Sequence, residues 1–127
     1  MLARVGALPV GWSIVRGDAR ALPFDSSSFE IVAAAYLLHL LSRPDRRTVL
    51  GELRRVLRPQ GRLVVVTVWP ARRAGRALLA GAAPAFLGGL RPHDPRRELE
   101  SSGFALEQAA TKRGGYPSLV VHARRCS

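Results

Sequence analysis

The sequence predicts an α/β fold in which parallel strands are followed by a carboxy-terminal antiparallel hairpin. Three observations lead there. Two apolar-rich runs, residues 29–35 (FEIVAAA, unbroken after Glu30) and 62–69 (RLVVVTVW), have the composition of strands buried in a parallel sheet. Between them, apolar residues recur at helical spacing, which supplies the crossover that parallel pairing requires. Two further apolar segments flank Gly114-Gly115 and read as a closing hairpin.

Each element follows in order. Residues 11–16 (GWSIVR) read as a short strand ended by Gly17-Asp18. Residues 19–28, with Pro23 and a serine cluster, read as a loop. Residues 29–35 suit a strand buried on both faces. The clearest helix is 45–58, where Val49, Leu50, Leu53, Val56 and Leu57 form one stripe. Arg46, Arg47, Glu52, Arg54 and Arg55 fall on its other faces. Ser42, with Asp45 three residues on, resembles a capping signal. Pro59 stops the helix and Gly61 allows the turn. Residues 62–69, rich in β-branched side chains, predict a second fully buried strand.

Residues 70–92 differ in character. Arg72, Arg73 and Arg76 precede an Ala/Gly/Leu-rich run broken by Pro84 and Gly88-Gly89, which reads as a loose helical excursion or lid. Residues 94–101 read as a short helix with Asp94 as cap, Pro95 at its first position and Gly103 after its end. Residues 104–111 and 118–123 are the hairpin strands. No repeat or linker divides the sequence, so 1–127 is read as one domain.

Composition narrows the function classes. At 47% hydrophobic residues the chain is not composed like a disordered one. No apolar run approaches the ~20 residues of a membrane-spanning helix, and the first residues lack a signal-peptide core. The expectation is a soluble, cytoplasmic protein. Cys126 stands alone, which excludes an internal disulfide or thiolate metal site within the sequence. His39, His93 and His122 are too scattered to suggest a metal cluster.

The net charge of +11 would suit an anionic partner such as nucleic acid. Lys112, however, is the single lysine among 20 basic residues, and Ala, Gly and Pro abound, as GC-rich codons would give. The arginines are spread along the chain, as at Arg46, Arg54, Arg72, Arg96 and Arg124, and aromatic residues total only 6%. No firm nucleic-acid signal results.

Ligands of open α/β sheets bind beyond the carboxyl ends of the parallel strands. Asp18, the segment 34–36 and Trp69 all lie at such ends. Asp18 there has two readings: a turn residue accepting bonds from its own backbone, or a ligand contact.

The order and spacing of the segments add a resemblance. GDARALPFDSSSFEIV, followed by YLLHLLSRPDRRTVLGELRRVLRPQGRLVVV, resembles class I S-adenosylmethionine-dependent methyltransferases. The likeness is nearest to the small-molecule branch that includes the menaquinone and ubiquinone methyltransferases. Residues 99–104 (LESSGF) and 114–125 (GGYPSLVVHARR) match that family's last helix-to-strand junction and closing hairpin. The resemblance implies a Rossmann-like sheet, S-adenosylmethionine as cofactor and a small, apolar methyl acceptor.

Carried over residue by residue, the resemblance makes Asp18 the acid that accepts from the adenine amino group. It gives Ala19 a backbone N–H for an adenine ring nitrogen, and makes Leu22 and Phe24 the walls of the ring. Ala35 and Tyr36 border the methionine part and the transferred methyl group. His39 matches the first histidine of an LHHL-like motif whose second is here Leu40, which places Tyr36 or His39 on the substrate side, where an imidazole could act as base. No catalytic residue is firmly assigned. Related sequences usually carry Asp at Glu30 and Gly at Gln60.

The family's glycine-rich loop, and the acid that holds the ribose, belong to sequence upstream of these segments; residues 1–4 (MLAR) resemble the piece that follows that acid. The expectation is a carboxy-terminal portion with an incomplete sheet. The strand 29–35 becomes an edge open to self-association. Residues 13–16 either pair beside 31–34 or stay unpaired. The adenine wall remains, without ribose and methionine anchors. The alternative reading is an inactive remnant of the fold that serves as a binding or regulatory module. A basic RNA-binding or RNA-methylating protein ranks below both.

Overall fold

A computed structural model describes residues 6–68, 93–112 and 118–126. The first strand, β1 (Phe29–Ala35), ends in a 3-10 turn at Leu38–Leu40 and leads to helix α1 (Arg43–Val56). Strand β2 (Leu57–Val68), helix α2 (Arg96–Ser101), β3 (Phe104–Lys112) and β4 (Ser118–Arg125) follow. The sheet order is β1-β2-β4-β3, with β1 parallel to β2 and the other pairs antiparallel. The predicted α/β class, with its parallel pair and closing hairpin, is the observed one.

Helix α1 begins where the capping signal stood: the Ser42 hydroxyl accepts the Asp45 N–H at 3.3 Å. Its apolar stripe places Val49, Leu50, Leu53 and Val56 in the core. Burial of each such side chain contributes about 1.5–3 kcal/mol. The stripe lies on one face of the sheet, where Leu63, Val65, Val121 and Ala123 form the same buried cluster, joined from α2 by Leu99.

Three expectations change. The strands are buried on one face only. Along β2 the buried Leu63, Val65 and Thr67 alternate with half-buried Val64 and Val66, and in β1 only Ala34 is fully buried. α1 and α2 cover one side, so the period is 2 despite the continuous apolar sequence. Residues 11–16 are not a strand; they are exposed coil, and residues 13–16 do not pair with β1. A strand exists only with a partner, and among the described residues β1 takes β2 alone. The short helix starts at Arg96, one residue later than expected: Pro95 takes the cap position, and the Asp94 carboxylate accepts the Arg96 N–H at 3.1 Å. The lid read at 70–92, Trp69 and the Gly114-Gly115 turn lie outside the described residues.

The passage from α1 into β2 is tight. Phe29 and Ile31 face Leu57 and Arg62, so residues 58–61 bulge out of the ladder. Gln60 takes a left-handed φ of 66°, at the position where glycine is usual in the sequences this chain resembles. Gly61 is buried against backbone: a Cβ there would lie 2.7 Å from the Arg58 carbonyl oxygen and 3.2 Å from that of Glu30.

Candidate functional site

The loop between Gly17 and Phe29 folds back on α1. Gly17 packs against Pro23, and the Asp18 carbonyl accepts the Ala21 N–H at 2.9 Å. Two charged residues of α1 then hold the loop by its backbone. Glu52 accepts the Leu22 N–H at 2.9 Å, while Arg55 donates to the Leu22 carbonyl at 3.1 Å and the Phe24 carbonyl at 2.8 Å. Arg55 is itself aligned by Glu52, at 2.8 and 3.0 Å. The N–H groups of Ser27 and Ser28 bond the carbonyls of Arg55 and Val56. Carbonyls left over at the helix end thus anchor the end of the loop.

This anchoring builds an open, apolar groove of about 590 Å³ beside β1. Ala19, Leu22 and Phe24 form one wall; residues 31–35 of β1 form the other, with Leu53 and Val56 beneath. Phe24 meets Phe29 edge to face, with ring centroids 5.0 Å apart. Consecutive β1 residues line the groove, so it follows the strand's unpaired edge as well as one face. Ile31, at 63% exposure, is the most open of the large apolar residues there.

Ala19, Leu22, Phe24 and Ala35, predicted from the sequence, therefore come together. Among the described residues nothing engages the Ala19 N–H, which is left as a donor. Asp18, one residue earlier, is exposed and bound to Arg20. Its Oδ1 accepts the Arg20 backbone N–H at 2.9 Å and Nε at 3.1 Å; its Oδ2 accepts Nη2 at 2.8 Å. These bonds hold the carboxyl at about 2, well below the usual range.

Tyr36 and His39 lie at the carboxyl end of β1, outside that groove lining. Tyr36 has a left-handed φ of 56°, a strained conformation for an aromatic residue, and its N–H continues the ladder to the Val66 carbonyl. Its hydroxyl lies 2.6 Å from Ser118 Oγ. The His39 ring stands edge-on to Tyr36, with its Nδ1 buried and unpartnered. Burial, and secondarily the His93 imidazole, push the His39 pKa down, leaving it neutral. His93 sits in the same region, its carbonyl bonded by Thr67, its Nε2 3.4 Å from Glu98, and Glu98 held by Arg46.

The sequence reading missed Arg20, Glu52, Arg55 and His93. For Arg20 a signal existed: Asp-x-Arg occurs three times, and Asp94 and Arg96 make the same fork. For Glu52 and Arg55 the i, i+3 spacing showed the pair, but not the backbone it would reach.

Comparison with known proteins decides the family. Residues 2–65, half of the 127, match the family described as "Methyltransferase domain". The chain belongs to that family. Among its relatives, demethylmenaquinone methyltransferase of Lactococcus lactis is 46% identical over 52 residues, 41% of this chain and 20% of that protein. Malonyl-[acyl-carrier protein] O-methyltransferase of Methylococcus capsulatus is 32% identical over 117 residues, 87% of this chain and 42% of that protein. The methyltransferase chain thus spans less than half the length of these curated relatives. A solved SAM-dependent methyltransferase from Thermotoga maritima superposes with a TM-score of 0.68 at 19% identity, covering 91% of this chain and 65% of that one. The partial sheet is that of a Rossmann-like methyltransferase. No described helix is long and apolar enough to cross a membrane.

Proposed function

We propose that the chain belongs to an enzyme that transfers a methyl group from S-adenosylmethionine to a small, apolar molecule, and that residues 18–36 form the adenine side of its cofactor site. The observation that carries this reading is the groove itself: Ala19, Leu22, Phe24 and Ala35 converge, and an unengaged Ala19 N–H stands at its wall. An adenine ring needs that combination, an apolar slot with a donor at its edge. Asp18 adds the acceptor for the exocyclic amino group.

The cofactor, when bound, supplies a methyl group on a positively charged sulfur. What the protein then contributes is placement and exclusion of water. Ala35 and Tyr36, at the end of β1, border that region. The strained backbone at Tyr36 and its hydroxyl contact with Ser118 fix the direction in which the strand leaves the sheet. His39 is kept neutral by burial, so its imidazole carries a lone pair on one ring nitrogen and a proton on the other. The names of the curated relatives, which concern a quinone and a carrier-bound acyl group, support a small or carrier-bound acceptor.

The test is an amide-resolved NMR titration with S-adenosylhomocysteine. The Ala19 amide and the Leu22 and Phe24 side chains should shift together, and Asp18→Asn should weaken binding. Shifts confined to other parts of the chain, with Ala19 unmoved, would refute the assignment.

A further inference from the structure

Asp18 and Arg20 form a closed fork on the edge of the groove. Oδ1 already accepts the Arg20 N–H and Nε, and Oδ2 accepts Nε and Nη2 at 3.2 and 2.8 Å. A carboxylate oxygen offers about two lone-pair sites, so an amino group approaching in plane finds them occupied. The Asp-x-Arg spacing allows this fork where the backbone is not helical at the Asp: Asp94 and Arg96 repeat it with Nη2–Oδ2 at 2.6 Å. Arg20 also has a second acid in reach: its Nη1 lies 3.6 Å from Oδ1 of Asp45, in the first turn of α1.

We propose that Arg20 competes with adenine for the Asp18 carboxylate, and that Asp45 receives the guanidinium when adenine binds. The proposal rests on the adenine reading above and adds a residue that sets the affinity and base selectivity of that site. The backbone bond from Arg20 can persist, because it belongs to the turn; only the guanidinium must leave. Both partners are 53% exposed, so water and salt moderate the competition.

The experiment measures binding of adenosine, and of inosine as a control, to the intact chain by NMR titration. Inosine lacks the exocyclic amino donor. Arg20→Gln keeps much of the side chain and loses the charged fork; it should tighten adenosine by about two- to fivefold, the size expected for release of an exposed ion pair, and leave inosine unchanged. Asp45→Asn should weaken adenosine in the presence of Arg20 and have no effect in an Arg20→Gln background. If Asp18→Asn weakens adenosine but Arg20→Gln leaves it unchanged or weaker, the competition is overturned and the adenine reading stands. If Asp18→Asn has no effect, or no variant binds adenosine, both are overturned.

Discussion

Two glycines ten residues apart allow one chemical change to be tested in opposite directions. Gly51 lies within α1, and a Cβ there would meet nothing within 4 Å. Gly51→Ala should therefore stabilise the fold by about 0.5–1 kcal/mol, the usual helix preference. Gly61 follows the bulge. Its Cβ would sit 2.7 Å from the Arg58 carbonyl oxygen, with Leu57 Cδ2 at 3.0 Å and the Glu30 oxygen at 3.2 Å. Two of these three neighbours are backbone, so no rotamer change clears the space. Relief requires the Arg58 carbonyl to turn within the bulge and Gly61 to draw back from Glu30 of β1, beside the Ile31–Arg62 pairing. Overpacking of this kind costs about 1–3 kcal/mol. The two variants should thus differ by about 1.5–4 kcal/mol in urea unfolding, read from midpoints at a common slope. A Gly61→Ala protein within about 0.5 kcal/mol of the parent would refute the close-approach argument.

Other consequences can be checked independently. Glu52→Ala removes the acceptor of the Leu22 N–H, so that amide should exchange with solvent faster by roughly tenfold or more, while the Leu99 amide, bonded within α2, should not change. Arg55 holds the Glu52 carboxyl below its ordinary 4.5, so this anchoring persists above that pH and fades as the pH falls through the lowered value; Leu22 protection already lost above pH 4.5 would contradict it. Burial lowers the pKa of both His39 and His93, although Glu98 opposes the shift at His93. Unfolded imidazoles take a proton near 6.5 and the folded ones resist it, so stability should be full above that pH and decline below it; His93→Gln should flatten the decline, and equal urea midpoints for the parent at pH 7.5 and 5 would contradict it. Gln60→Gly relieves a left-handed φ of 66° and should raise stability by about 0.5–1 kcal/mol, unless the gain in unfolded-state freedom cancels it; a loss in thermal unfolding temperature would count against the strain.

Much of the architecture was legible because it is local. The run FEIVAAA became β1 with the predicted bounds, and the stripe from Val49 to Val56 became the buried side of α1. What failed depended on partners. GWSIVR has strand composition, yet exposed coil is its state because no strand lies beside it. The apolar runs of β1 and β2 suggested cover on both faces, but composition does not reveal how many helices are present to provide it. In the site, Ala19, Leu22 and Phe24 of the motif GDARALPF line one groove. The same motif contained Arg20, whose spacing to Asp18 allows the fork. Glu52 and Arg55 looked like solvated charges on a helical wheel, because the wheel shows side-chain faces and not the loop carbonyls they reach.

The placement of β4 has a consequence for synthesis. It lies between β2 and β3, pairing Leu63 with Ala123 and Val65 with Val121 on one side and Ala109 with Val121 on the other. Of the described strands it is the last to leave the ribosome. Until then β2 holds β1 alone and β3 has no partner, so the nascent chain carries half a sheet with its apolar face only partly closed. Folding of this region waits for β4 to emerge, and loss of a few residues near Val121 would remove the centre of the described sheet rather than its margin.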